Sequence, residues 1–269
     1  MDNLEASFRS ESLVAAPHIR QLVYSKHHDD VVNALSKLEK ISKFDFPWQM
    51  KIARILHLLT CFRDLRHLVL YPTINDGPTE MPMVLPQLPP IDTFEVYMHD
   101  SSHLVDGNPL VVLTLPRLNF LRLVATVYIP EAFVILNAFF ARSKCCLTAL
   151  TIQGSFLSDK DLVSLLLRLP NLQNLHIEEE CLTNPTKNPR LQPISTSFVK
   201  SLHTWERSHL RRSPGLFVPQ LRCLAMKVKT KRFDASSFVE TITSCWLPGC
   251  DGDRGCVLKV RRITSTRNR

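Results

Sequence analysis

Leu169-Pro170-Asn171-Leu172-Gln173-Asn174-Leu175-His176-Ile177 is the stretch on which the reading of this chain turns. It has the form Leu-Pro-x-Leu-x-x-Leu-x-apolar, and the form returns. Leu115-Pro116-Arg117-Leu118-Asn119-Phe120-Leu121-Arg122-Leu123 carries it unchanged. Leu88-Pro89-Pro90-Ile91-Asp92-Thr93-Phe94-Glu95-Val96 and Val218-Pro219-Gln220-Leu221-Arg222-Cys223-Leu224-Ala225-Met226 keep the register with apolar exchanges. Ala16-Pro17-His18-Ile19-Arg20-Gln21-Leu22-Val23-Tyr24 does the same. Proline makes up 18 of 269 residues, so five copies in one register mark an internal repeat rather than composition.

Without the proline requirement, four further registers appear: Ile41, Phe44 and Phe46; Leu65, Leu68 and Leu70; Leu147, Leu150 and Ile152; and a degenerate one through Leu258 and Val260. Aligned on the central apolar residue, the repeats fall at Leu22, Phe44, Leu68, Phe94, Leu121, Leu150, Leu175, Leu224 and Leu258. The first seven are 22 to 29 residues apart, matching leucine-rich repeats of about 20–29 residues. The wide interval before Leu224 holds an inserted loop, 181–193, rich in Pro, Asn and Thr. Each repeat predicts one short strand whose alternate apolar residues point inward. Strands this short need neighbours, and side by side they make a parallel sheet with a shared core. The expected fold is therefore α/β, a leucine-rich-repeat solenoid with a curved parallel sheet and with helices and loops on the convex side.

Parallel strands need a return path, and the intervals hold helical patterns. Within 47–61, Trp48, Ile52, Ile55, Leu56 and Leu59 form one apolar stripe. In 158–169, Ser158 and Asp161 make a capping-box-like start, with Leu162, Leu165, Leu166 and Leu169 facing inward. Pro130 suits a first helical position ahead of Phe133, Leu136 and Phe140. Asp30 suits a cap for 31–38 and Asp234 a cap for 238–246, and 197–205 carries Phe198, Leu202 and Trp205. The connections 71–90 and 98–109 read as extended loops. Proline before each strand is expected to end the preceding helix and hold the chain extended.

An apolar fraction of 45% and a charged fraction of 22% are those of an ordinary globular protein. Only 7 glycines argue against phosphate-cradling loops. The opening residues are polar and acidic, unlike a secretory leader, and no apolar run is long enough to span a bilayer. The 8 cysteines sit in apolar contexts, which suits reduced thiols and a cytoplasmic or nuclear location. After residue 198 there are 15 Lys/Arg against 5 Asp/Glu, whereas the residues before carry 18 against 20. Any electrostatic steering belongs to the C-terminal end. The expected organisation is a polar segment 1–16, a repeat domain 17–263 and a basic tail 264–269.

From Leu115 to Ile177 the sequence resembles the repeat region of the large fungal F-box-like leucine-rich-repeat protein family. The features that carry the resemblance are the Leu115-Pro116 strand, the segment Cys145-Cys146-Leu147-Thr148-Ala149-Leu150-Thr151-Ile152, a helix beginning at Ser158-Asp159, and the Leu169-Pro170 strand. Residues 233–246, with Leu258 and Val260, resemble that family's last helix and strand. The resemblance implies a substrate receptor of a ubiquitin ligase, with a Skp1-type adaptor as partner when an F-box precedes the repeats. The first repeat begins at Pro17, leaving no room for that module, so the adaptor is expected only if an F-box is encoded upstream.

In a leucine-rich repeat, residues flanking the central apolar position line the concave face. Here these are Gln21/Val23, Lys43/Asp45, His67/Val69, Thr93/Glu95, Phe120/Arg122, Ala149/Thr151, Asn174/His176 and Cys223/Ala225. Tyr71, Tyr97, Val124, Gln153, Glu178 and Lys227 extend the set. Tyr and Arg are enriched at binding hot spots. The candidate protein-binding residues are accordingly Tyr71, Thr93, Glu95, Tyr97, Phe120, Arg122, Thr151, Asn174, His176 and Glu178. Three other groupings carry less. Cys245, Cys250 and Cys256 fit no common zinc spacing. His27-His28-Asp29-Asp30 suits a helix start better than a base–acid pair. His99-Asp100-Ser101-Ser102-His103 has the residue types of a hydrolase but no nucleophile elbow. The basic C-terminal cluster lacks interleaved aromatics, so nucleic acid is not favoured. The expected protein is non-catalytic, without cofactor or metal, and binds an unidentified protein. The alternatives are a free-standing repeat scaffold unrelated to ubiquitin, or nucleic-acid binding through the basic end.

Overall fold

The structure is a computed structural model, and it describes residues 21–23, 41–46, 52–71, 88–98, 108–125, 131–154, 156–179, 194–195, 198, 220–228, 236, 238–239 and 257–262. The chain divides into two compact units. One comprises Met1–Leu123 and Ala138–Cys145, the other Val124–Asn137 and Cys146–Arg269.

The first unit holds strands β1 (Gln21–Val23), β2 (Lys43–Phe46), β3 (His67–Leu70) and β4 (Thr93–Met98), and most of β5 (Phe120–Ala125). They lie side by side in chain order. β1–β2, β2–β3 and β3–β4 are parallel pairs that set Leu22 opposite Phe44, Phe44 opposite Leu68, and Leu68 opposite Phe94. The second unit holds β6 (Ala149–Gln153), β7 (Asn174–Glu178), β8 (Cys223–Val228) and β9 (Val257–Arg262), also in chain order. Its parallel pairs set Leu150 opposite Leu175, Leu175 opposite Leu224, and Leu224 opposite Leu258. The fold class is thus α/β with parallel strands. In all six of these pairs the central residues aligned from sequence are the residues that pair.

A forked hydrogen bond marks the start of these strands. The carbonyl of Ser42 accepts from the amides of both Arg66 and His67, at 2.9 Å each. Arg66 accepts in the same way from Asp92 and Thr93, Asp92 from Asn119 and Phe120, Thr148 from Gln173 and Asn174, and Gln173 from Arg222 and Cys223. A carbonyl oxygen has two lone pairs and can take both donors, so one acceptor serves the end of a turn and the start of a ladder.

The Leu-Pro-x-Leu signature closes that turn. Leu118 donates to the carbonyl of Leu115 at 3.2 Å, and Leu172 to that of Leu169 at 3.1 Å. Pro116 and Pro170 therefore occupy the second position of a four-residue turn, where a φ fixed near −65° is pre-organised. This corrects the expectation that the proline holds the chain extended: it bends it. Leu88-Pro89-Pro90-Ile91 differs because Pro90 at the third position would force Pro89 out of the turn conformation. There the Ile91 amide donates to the carbonyl of Pro89, at 2.8 Å, in a three-residue turn.

Helix α1 (Ile52–Cys61) falls inside the expected 47–61 and buries Ile55, Leu56, Leu58 and Leu59. Helix α2 (Pro109–Val112) is a single turn where the sequence pattern predicts an extended loop up to Pro109. Asn108 caps it, accepting from the Leu110 amide at 2.9 Å, and Pro109 opens it. Helix α3 (Ala132–Ser143) begins two residues after Pro130, with Glu131 at a φ of 60°, so Ala132 rather than Pro130 is the first helical residue. Of the apolar residues expected to face inward from α3, Leu136 and Phe140 are buried; Phe133 is only half-buried, and Phe139 is fully enclosed in its place. Helix α4 (Asp159–Leu166) has the expected start: Ser158 Oγ accepts from the Asp161 amide at 3.2 Å and donates to its carboxylate at 2.7 Å. Asp159 in turn accepts from Ser195, whose hydroxyl also accepts from the Phe198 amide. The expected helix at 31–38, most of 238–246 and of 197–205, and the loop 181–193 lie outside the described residues; of 238–246, Phe238 and Val239 are described, both helical, with Phe238 buried and Val239 exposed.

The core of the first unit is Ile41, Phe44, Leu65, Leu68, Leu70, Ile91, Phe94, Val96, Leu118 and Leu121, none more than 1% exposed. Phe62 packs on Phe44 and Phe139 on Phe94, with centroids 5.1 and 6.5 Å apart. In the second unit Leu147, Leu150, Ile152, Leu172, Leu175, Ile177, Leu224 and Met226 are buried likewise. At roughly 1.5–3 kcal/mol for each enclosed side chain, these repeated columns dominate the energetics, and they decide which face of every strand is left over. No helix among the described residues is long and apolar enough to cross a membrane.

Candidate protein-binding face

The residues left over from the core share the opposite face of each strand, and in the first unit they form a linked group. Glu95, in the middle of β4, accepts three side-chain donors. His67 Nε2 lies 2.9 Å from Oε1, the Tyr97 hydroxyl donates to Oε2 at 3.0 Å, and Arg122 Nη1 donates to Oε2 at 3.3 Å. His67 reaches Glu95 from β3 and Arg122 from β5, so the carboxylate ties three successive strands. Glu95 is 14% exposed, while His67 and Arg122 keep 24% and 35%. The hydrogen bond from His67 holds the Glu95 carboxyl below its usual value against the opposing effect of burial, with the Tyr97 hydroxyl and the Arg122 charge adding to His67.

The two tyrosines stack. Tyr71 and Tyr97 have centroids 4.5 Å apart and planes inclined by 14°. That separation is close to the strand spacing of about 4.8 Å, as expected for equal positions on adjacent strands. The Arg122 guanidinium lies over the Tyr97 ring, 5.7 Å from its centroid, in the range of a cation–π contact. Burial, reinforced by the Glu95 charge, pushes the Tyr97 hydroxyl up to about 12. Tyr71 is raised as well, by burial and then by the charges of Asp45 and Glu95. Both hydroxyls stay neutral across the physiological range, and that of Tyr97 acts as a donor to Glu95.

Thr93 is half-buried and its hydroxyl donates to Asp92 at 3.0 Å. Phe120 is half-buried on the same face. Val69 and Val124, at flanking positions of the sequence repeat, are 3% and 7% exposed and so unavailable to a partner. Asp45, at the same register on β2 as Glu95 on β4, is half-buried, and burial raises its carboxyl above the usual value. Its Oδ1 is out of contact with water and has no hydrogen-bond donor among the described residues.

In the second unit, Glu178 is the hub. Gln153 Nε2 donates to Oε2 at 2.8 Å and Lys227 Nζ donates to Oε1. Burial, with only 8% of the residue exposed, works against its charge, yet the donors from Lys227 and Gln153 leave the carboxyl below its usual value. Glu178 is thus an anchor between β6, β7 and β8 more than an open contact. Asn174 is exposed, while Thr151 and His176 are half-buried beside it. Among the described residues no group of three or more His, Cys, Asp or Glu is placed to hold a metal. His99, His103 and Cys245 to Cys256 lie outside those described.

Tyr71, Glu95, Tyr97 and Arg122 thus come together in one network, with His67 drawn in from a flanking register and Asp45 acting on it only through its charge. Phe120 and Thr93 share their face. Thr151, Asn174, His176 and Glu178 belong to the other unit. Residue type alone leaves His67, Asp45, Gln153 and Lys227 out of the leading candidates, although each occupies a flanking register; strand position is the signal that finds them. No family model and no curated protein matches this chain.

Proposed function

We propose that this chain is a non-catalytic recognition protein, a leucine-rich-repeat solenoid that binds a protein partner across the face carrying Tyr71, Glu95, Tyr97, Phe120 and Arg122. The observation that carries the reading is this network itself. One aromatic ring, a guanidinium and an imidazole are held in set orientations by one carboxylate, and a second ring stacks on the first, so little side-chain freedom remains to be lost on binding. The residue-by-residue register of the repeats supports the solenoid, and the resemblance of the Leu-Pro strands to fungal F-box-like proteins supports a substrate-receptor role. A Skp1-type adaptor belongs to that role only where an F-box accompanies the repeats.

The test is affinity capture from a fungal lysate with the full chain and with the Phe120→Ala/Arg122→Ala double variant, followed by calorimetry with the purified partner. A hot-spot arginine is worth about 2 kcal/mol or more, or roughly thirtyfold in affinity. A partner bound equally by both proteins would remove this face from consideration. Co-purification of a Skp1-type adaptor separates the receptor from a free-standing scaffold.

A further inference from the structure

We propose that Asp45 and Tyr71 form a subsite that takes an arginine side chain of the partner protein. The inference rests on the recognition reading above and adds the chemistry of one contact. Its template lies on the same face. Arg122 lies over Tyr97 while donating to Glu95, so a ring and a carboxylate together hold a guanidinium. Asp45 stands at the Glu95 register two strands away, and Tyr71 is the ring stacked on Tyr97. Between the two carboxylates lies Val69, paired with both Asp45 and Glu95, and it has nothing to donate.

The two acids consequently differ. Glu95 has three donors, whereas Asp45 Oδ1 has none among the described residues and is shielded from water. An acceptor left in that state costs about 1–3 kcal/mol, more when charged, and a partner's donor recovers it once the carboxyl turns about its Cβ–Cγ bond to present that oxygen outward. Asp45 is only half-buried, so part of it faces solvent, and its charge is felt at the Tyr71 hydroxyl. Lys43, two residues back on β2, acts on Asp45 through its charge. A planar guanidinium suits the place better than an ammonium because it can stack on Tyr71 while forking to the carboxylate. An acidic partner group would find Arg122 already engaged by Glu95 and Tyr97.

The experiment is display selection of random peptides on the full chain. Selected peptides are then measured by fluorescence anisotropy against the wild type, Asp45→Asn, Tyr71→Leu, Lys43→Ala and Phe120→Ala/Arg122→Ala. Asp45→Asn keeps side-chain volume and removes charge. The expected pool is enriched in arginine and binds Asp45→Asn about tenfold or more weakly, the loss of one charge-assisted hydrogen bond. Tyr71→Leu should weaken arginine peptides more than their lysine counterparts, and Lys43→Ala should leave binding equal or tighter. A pool rich in Asp and Glu, equal binding to Asp45→Asn, or lost binding in Lys43→Ala overturns the subsite. If those peptides still depend on Phe120 and Arg122, the recognition face stands without it. No selectable pool, or one indifferent to both Asp45→Asn and Phe120→Ala/Arg122→Ala, overturns both.

Discussion

Gly154→Ala should be among the most damaging single-methyl changes in the protein. Gly154 follows β6 with a φ of 111°, a region that L side chains rarely adopt. A Cβ built there would lie 1.9 Å from the backbone oxygen of Ala125 and 3.0 Å from its carbonyl carbon. The obstacle is backbone, so no rotamer change relieves it. The dihedral alone costs about 1–3 kcal/mol, and overpacking against atoms that cannot yield adds about 1–3 kcal/mol more. A loss of about 2–6 kcal/mol is a large share of the roughly 5–15 kcal/mol that holds a domain together. The midpoint of a urea titration followed by circular dichroism should fall accordingly. A local readout accompanies it: the residue-154 amide, which donates to the Glu178 carbonyl at 2.8 Å, should lose protection in hydrogen exchange. Gln153 precedes this turn and Glu178 sits across it, so strain here also reaches the Gln153–Glu178–Lys227 group. A variant within about 0.5 kcal/mol of wild type, the range of neutral surface changes, with that amide still protected, would refute the argument.

Phe94→Ala removes a ring with 0% exposure that packs on Phe139; it should cost about 3–5 kcal/mol by denaturant titration. Ser158→Ala removes the cap of α4 and should cost about 0.5–2 kcal/mol, with Ser158→Thr, which keeps the hydroxyl that donates to Asp161, retaining most of the stability. The folded Glu95 carboxyl sits below its ordinary 4.5, so its contribution is present above that value and is lost as pH falls through the folded pKa. Glu95→Gln should therefore lower stability at neutral pH and flatten its dependence on pH below 4.5, measured by denaturant titrations across that window. An unchanged acid slope would show that the His67–Glu95–Arg122 cluster contributes nothing to the folded state.

Much of the scaffold is legible in the chain. Leu68 aligns with Phe94 and Leu175 with Leu224 on sequence pattern alone, because a strand's period of two leaves each apolar residue only one buried face. The Ser158–Asp161 cap is legible for a similar reason: its chemistry is complete within four residues. The one-turn helix after Asn108 has a local signal as well, an Asn-Pro pair, but it is held from afar. Arg142 Nη2 donates to the Leu110 carbonyl at 2.6 Å, and the Ser143 hydroxyl accepts from the Leu115 amide at 3.1 Å.

Residue type alone puts Tyr71, Tyr97 and Arg122 among the candidates, but nothing in it joins them. Sequence by itself determined the repeat length, the strand registers and the division of each strand into a core face and a free face, because these follow from periodicity. Only tertiary structure decided that Glu95 gathers His67, Tyr97 and Arg122, that Val69 and Glu178 withdraw from solvent, and that Asp45 Oδ1 is left without a donor among the described residues. Those outcomes depend on angles and distances between strands more than 20 residues apart. A difference of about 1 Å there separates a hydrogen bond from none.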